Sequence, residues 1–231
     1  MAAIIVMTCG GTVKRTLSLG QVALVVAALS AVWIGSSLAL AQIEPGSYAE
    51  LVKEPRTALI RLLLPMLLAG IAALGFLATT GRLRSVWTEP SELRTTDRLI
   101  TAGAAISIVV AIAGIVRGAM RINDGKLSLV LAILVATMAV GFTEELIFRG
   151  FVLIEVRKYK TELWAFVICE VLFGLWHLPN FFLGATLLEA LAQVVISGAL
   201  GGVFLYCVRR RTGSLWIAML MHGLWDFAVL G

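Results

Sequence analysis

The sequence predicts an all-α polytopic transmembrane bundle of about seven spans, with its chemistry in the last four. Three observations carry this. Of 231 residues, 60% are hydrophobic and 14% charged, with mean hydropathy +0.97; soluble domains run at roughly 45–50% and about 25%. The apolar residues gather in seven runs near the ~20 residues that a helix needs to cross a bilayer. The basic residues fall mainly in the gaps between runs, and they alternate in density. A soluble fold of this length has too little interior for so much apolar surface, and the same composition excludes disorder. No short alternating segments of barrel type occur, so helices are the spanning form.

The runs follow one another with recognisable stops. The first extends from Leu17 to Ala41 behind Lys14 and Arg15. Ala39-Leu40-Ala41 resembles a signal-peptidase site, but signal-peptide cores span only ~7–15 residues, which favours a retained helix. The second covers Thr57 to Thr80 with Arg61 near its start, and the third Leu99 to Val116. The fourth runs from Leu127 to about Phe148, the fifth from Glu162 to Leu178 before Pro179-Asn180, and the sixth from Phe181 to Val208. Gly213 to Leu230 makes the seventh. Two regions result: residues 1–126 with three helices and the polar loops Tyr48–Arg56 and Arg82–Arg98, and residues 127–231 with the reactive groups.

Alternating sides sorts thirteen basic residues, Arg149 and Arg209 among them as loop charges, onto one face and five onto the other, with Arg61 left inside a span. The positive-inside rule then places the N-terminus in the cytoplasm and the C-terminus outside. The pI near 9.4 reflects this topology pattern, so no nucleic-acid partner is expected. Three cysteines, Cys9, Cys169 and Cys207, form neither a disulfide framework nor a Cys/His metal motif.

Ionisable side chains within spans cost at least ~2.5 kcal/mol near the bilayer centre, which makes them informative. Glu145 and Arg149 are four apart and share a helix face. Glu144 is turned ~100° from Glu145 and is free to face elsewhere. His222 and Asp226 are also four apart, as are Phe173 and His177. The chain has only two histidines, and both sit in apolar helices. Glu144, His177 and His222 together can bind and deprotonate water, with or without a metal. The bland readings are a structural Glu145–Arg149 pair, a capping His177 and a hydrogen-bonded His222–Asp226. Glu170 and Glu189 read as helix contacts or rim residues. Trp164, Trp176, Trp216 and Trp225 read as interface anchors or packing, and Gly198, Gly201 and Gly202 as close helix contacts.

Thr143-Glu144-Glu145-Leu146-Ile147-Phe148-Arg149, Phe173-Gly174-Leu175-Trp176-His177 and His222-Gly223-Leu224-Trp225-Asp226 read E-E-x-x-x-R, F-x-x-x-H and H-x-x-x-D. In that order, over about residues 127–230, they resemble the CPBP intramembrane proteases. These include CAAX prenyl proteases and the Abi proteins linked to bacteriocin immunity. The resemblance implies hydrolysis of a peptide bond within the membrane. It implies that Glu144 and His177 activate water, that His222 with residue 226 meets the oxyanion, and that Arg149 supports the glutamate pair. Asp226 departs from the CAAX enzyme's Asn. An ionised Asp cannot donate to an oxyanion, whereas a protonated one can; the other roles open to Asp226 are to orient His222 or to ligate a metal. Glu144, His177, His222 and Asp226 would suit zinc as well, which keeps metal-free glutamate and metalloprotease chemistry both open, without the H-E-x-x-H signature.

The expected partners are the lipid bilayer and a membrane-associated protein or peptide substrate. The short loops suggest a prokaryotic plasma-membrane protein. Gly150 to Tyr159 is expected to form an interfacial segment gating lateral access. The competing readings are a non-catalytic immunity or scaffold protein and a proton-coupled transporter.

Overall fold

A computed structural model describes residues 16–231. Cys9, Lys14 and Arg15 lie outside the described residues. Seven helices follow in order: α1 (Leu19–Ile43), α2 (Pro55–Thr79), α3 (Arg98–Asn123), α4 (Leu127–Arg157), α5 (Glu162–Leu183), α6 (Leu187–Thr212) and α7 (Leu215–Leu230). The first six are long and apolar enough to cross a membrane. At 16 residues, α7 reaches about 24 Å, short of the ~30 Å hydrocarbon core. It lies against α3, α4 and α6. Among the described residues there is no strand, only one isolated bridge between Thr88 and Ser214. The protein is an all-α polytopic membrane bundle.

Local chemistry sets the ends. Ser18 and Gln21 form a reciprocal capping box that starts α1. Asp97 caps α3 by accepting from the Leu99 and Ile100 amides. That helix runs past the expected Val116, because nothing breaks it before Asp124-Gly125, where Gly125 takes φ 78°. Residues Leu178–Leu183 form a tight 3-10 turn rather than the start of α6. Gly184 then turns left-handed (φ 100°), and Thr186 with Glu189 builds a second capping box. Glu189 is thus a cap of its own helix.

The fourth helix is the hub. Over half of its most apolar window is buried (56%), against 28% for α1 and α3, whose remaining apolar side chains face outward. It does not stop at Phe148 as expected. The backbone widens into a π-type turn over Leu146–Val152 and continues to Arg157. Phe151, Val152, Leu153 and Val156 are no more than 2% exposed, so the expected interfacial gate is instead packed core. Its apolar residues cover the helix on several sides at once, which buries it.

The basic segments meet at one end of the bundle. Arg82 Nε lies 3.0 Å from Glu155 Oε1, and Arg157 pairs with Glu89 at 2.7 Å and with Glu162 at 2.7 Å. Arg210 also reaches Glu162. Arg209 donates to the Val86 carbonyl at 2.8 Å, strapping the loop between α2 and α3 onto α6. Arg149 and Arg209 are fully buried, so neither is the loop charge that the alternating tally assumed.

The crossing of α4 with α7 is glycine-tight. A Cβ at Gly141 would stand 2.5 Å from the Gly223 nitrogen and 2.6 Å from the Met219 carbonyl oxygen. Backbone atoms cannot yield as a side chain does. Gly141→Ala is expected to lower stability by ~1–3 kcal/mol, read as a lower thermal midpoint in detergent.

Candidate active site

Three helices deliver the reactive groups to one place. The end of the α-helical part of α4 supplies Glu144 and Glu145, the residue capping the α-helical part of α5 is His177, and α7 supplies His222 and Asp226. Glu144, Glu145 and His222 are buried, and His177 and Asp226 are partly open, with side chains 17% and 24% exposed.

The two glutamates diverge as the 100° step between neighbours requires. Glu145 Oε1 accepts from Arg149 Nη1 at 2.9 Å and from His222 Nδ1 at 3.0 Å. Glu144 Oε1 accepts from Trp176 Nε1 at 3.0 Å. Its other oxygen, Oε2, is buried with no protein hydrogen-bond partner. That oxygen is 3.6 Å from His222 Nε2 and 3.9 Å from His177 Nε2. Both gaps exceed direct hydrogen-bond reach and suit a bridging water.

Each imidazole is fixed through Nδ1. His177 Nδ1 lies 3.0 Å from the Phe173 carbonyl oxygen, which can only accept, so this nitrogen carries the proton. Neutral His177 therefore presents a lone pair at Nε2. His222 Nδ1 faces the Glu145 carboxylate in the same way, with Asp226 Oδ2 3.6 Å from Nε2. The Phe173 ring packs edge-on against both imidazoles, at 5.2 and 5.7 Å between centroids. Arg149 covers the same ring, its guanidinium carbon 4.3 Å from the centroid.

Arg149 is the knot behind the site. Besides Glu145, it donates to Glu170 Oε2 at 2.8 Å and to the Gly202 carbonyl at 2.9 Å, joining α4, α5 and α6. Glu170 is thus a helix contact, as expected from the sequence. Gly202 is required because a Cβ there would collide with the Glu170 carboxylate, whereas a Cβ at the buried Gly201 would meet only the Ile196 carbonyl oxygen, at 4.0 Å.

A cavity of about 290 Å³ opens beside Glu144. Its lining includes His177, Trp225 and Asp226 together with Trp33 and Arg61. A smaller one of about 50 Å³ adjoins Phe173, His177, His222 and Asp226. Tyr48, from the turn Tyr48–Glu50, also faces the larger cavity and accepts from Asn180 Nδ2 at 3.3 Å and Gln193 Nε2 at 3.2 Å. Burial pushes its phenol up to about 12, so it stays a neutral hydroxyl.

The structure brings together all seven singled-out residues: Glu144, Glu145, Arg149, Phe173, His177, His222 and Asp226. Among the described residues, no group of three or more His, Cys, Asp or Glu is arranged to hold a metal ion. Trp176 was expected only to pack or anchor, yet it holds Glu144 and stacks on Trp33 of α1 at 5.0 Å. Its place beside His177 was the only signal for it. The Tyr48, Asn180 and Gln193 cluster had no sequence signal, since its members are up to 145 positions apart.

Residues 126–228 match the family described as type II CAAX prenyl endopeptidase Rce1-like. No curated protein and no solved structure matches the chain.

Proposed function

We propose, from the match of residues 126–228 to the type II CAAX prenyl endopeptidase Rce1-like family, an intramembrane endopeptidase that hydrolyses a membrane-associated peptide with water activated by Glu144. One observation carries this reading. A buried carboxylate oxygen without a protein partner faces the Nε2 atoms of two imidazoles, each held at Nδ1, on the wall of a cavity.

The steps follow from those atoms. A water between Glu144 Oε2 and His177 Nε2 donates one proton to each lone pair. Glu144 takes its proton as the oxygen attacks the scissile carbonyl carbon. His222, as imidazolium, donates from Nε2 to the oxyanion, with Glu145 holding Nδ1 and Asp226 standing beside Nε2. Collapse breaks the C–N bond, and the proton on Glu144 passes to the leaving nitrogen. The products are a carboxylate and an amine. The basic segments gathered at one end of the bundle support the orientation with the N-terminus in the cytoplasm.

The test uses purified protein in detergent with a quenched prenylated C-a-a-X peptide and a library of quenched membrane peptides. Wild type cleaves, while Glu144→Gln and His177→Ala do not, though both insert and fold. Full cleavage by both variants would overturn the assignment. Trp176→Phe keeps the ring stack but removes the donor to Glu144 Oε1. Its kcat is expected to fall about tenfold, the worth of one hydrogen bond to a charged group, with KM little changed.

A further inference from the structure

Arg61 is a cation inside an apolar helix. It is 8% exposed and lines the same cavity as Glu144. Its helix widens into a π-type turn over Ala58–Leu63, a feature frequent at functional sites. Every other deeply buried arginine of the bundle, Arg82, Arg149 and Arg209, has a carboxylate within 4 Å. Arg61 has none among the described residues; its one hydrogen bond is from Nη1 to the Gly46 carbonyl at 2.6 Å. Glu50 of the same loop, whose Oε2 accepts from the Ser47 amide at 2.7 Å, senses the Arg61 charge through space but forms no ion pair with it. A guanidinium has five donors, and a buried charge needs an opposite charge to be tolerated.

We infer that Arg61 is a carboxylate-binding subsite of this cavity, and that it receives the free C-terminal carboxylate of the peptide whose backbone is cut at Glu144. This deepens the endopeptidase reading and rests on it. The cavity wall presents acids at the hydrolytic part, Glu144 and Asp226, and Arg61 is the cation among its lining residues. A peptide end therefore has one polarity that fits. Its carboxylate meets the guanidinium, and an upstream carbonyl meets the water-activating groups. Anchoring the chain end fixes how many residues lie beyond the cut. Arg61 then determines specificity and takes no part in proton transfer.

The test compares a quenched prenylated C-a-a-X peptide bearing a free C-terminal carboxylate with its C-terminal amide twin. Wild type prefers the acid by about tenfold or more in kcat/KM, the scale of a charge-assisted hydrogen bond. In Arg61→Gln that ratio falls toward one, chiefly through a higher KM for the acid, and Arg61→Lys recovers part of it. A wild type without preference overturns the subsite while leaving the endopeptidase reading in place, and this arm needs no variant to fold. Equal losses for acid and amide in Arg61→Gln, with the preference kept, would also overturn it and make Arg61 only the tie to Gly46. Binding of the two peptides to Glu144→Gln separates the readings further. Tighter binding of the acid with no turnover by wild type keeps the subsite and rejects the endopeptidase.

Discussion

Glu144→Gln is expected to lower kcat by ~10²–10⁴-fold, the range set by losing a positioned general base, with folding preserved. The substitution is nearly isosteric. A glutamine oxygen can still accept from Trp176 Nε1, so the contact that holds the side chain survives. What is lost is the lone pair at the Oε2 position, between His177 and His222. KM is expected to change little, because the cavity lining is otherwise the same. Cleavage of the quenched peptide measures the first effect, and a thermal melt in detergent the second. A variant that cleaved at the wild-type rate would move the base elsewhere. Equal loss of stability and activity would make Glu144 a structural residue.

Arg149→Met is expected to destabilise the bundle by ~3–5 kcal/mol, the scale of breaking a buried ion pair by removing one partner. Arg149 is fully buried and meets two carboxylates, Glu145 at 2.9 Å and Glu170 at 2.8 Å. Methionine fills much of the volume but leaves both acids facing an apolar interior. The Gly202 carbonyl loses its donor as well. The thermal midpoint in detergent should drop clearly. Adding Glu170→Gln should restore part of it, since one uncompensated charge is then removed. A single variant as stable as wild type would show that water reaches this cluster and satisfies it.

The parts of the site legible in the sequence are those within one helix. Spacing of four residues places Glu145 over Arg149, and His222 beside Asp226, at 2.9 and 3.6 Å. The step of one residue turns Glu144 away from Glu145. Convergence between helices was not legible by spacing. His222 touches both glutamates, one through each ring nitrogen, because α4 and α7 cross closely at Gly141 and Gly223. The role of Trp176 depends on the same convergence, since its partner lies 32 positions away.

The span count came from hydropathy, which cannot distinguish a helix facing lipid from one packed among helices. That is why α7 reads as a span yet has only 16 residues. The overlong fourth helix is a related case. Arg149 looks like a loop charge until its two acids are placed around it. The start of α6 was readable after all. Gly184 and the Thr186-to-Glu189 capping box mark it, and a run of apolar residues from Phe181 obscured it.

The most direct measurement is peptide cleavage by purified wild type before and after exhaustive chelation, with metal content determined on the same samples and Glu144→Gln run alongside. Water activation by the glutamate predicts cleavage that survives chelation and disappears in Glu144→Gln. Stoichiometric metal whose removal stops cleavage, and whose return restores it, would contradict the account.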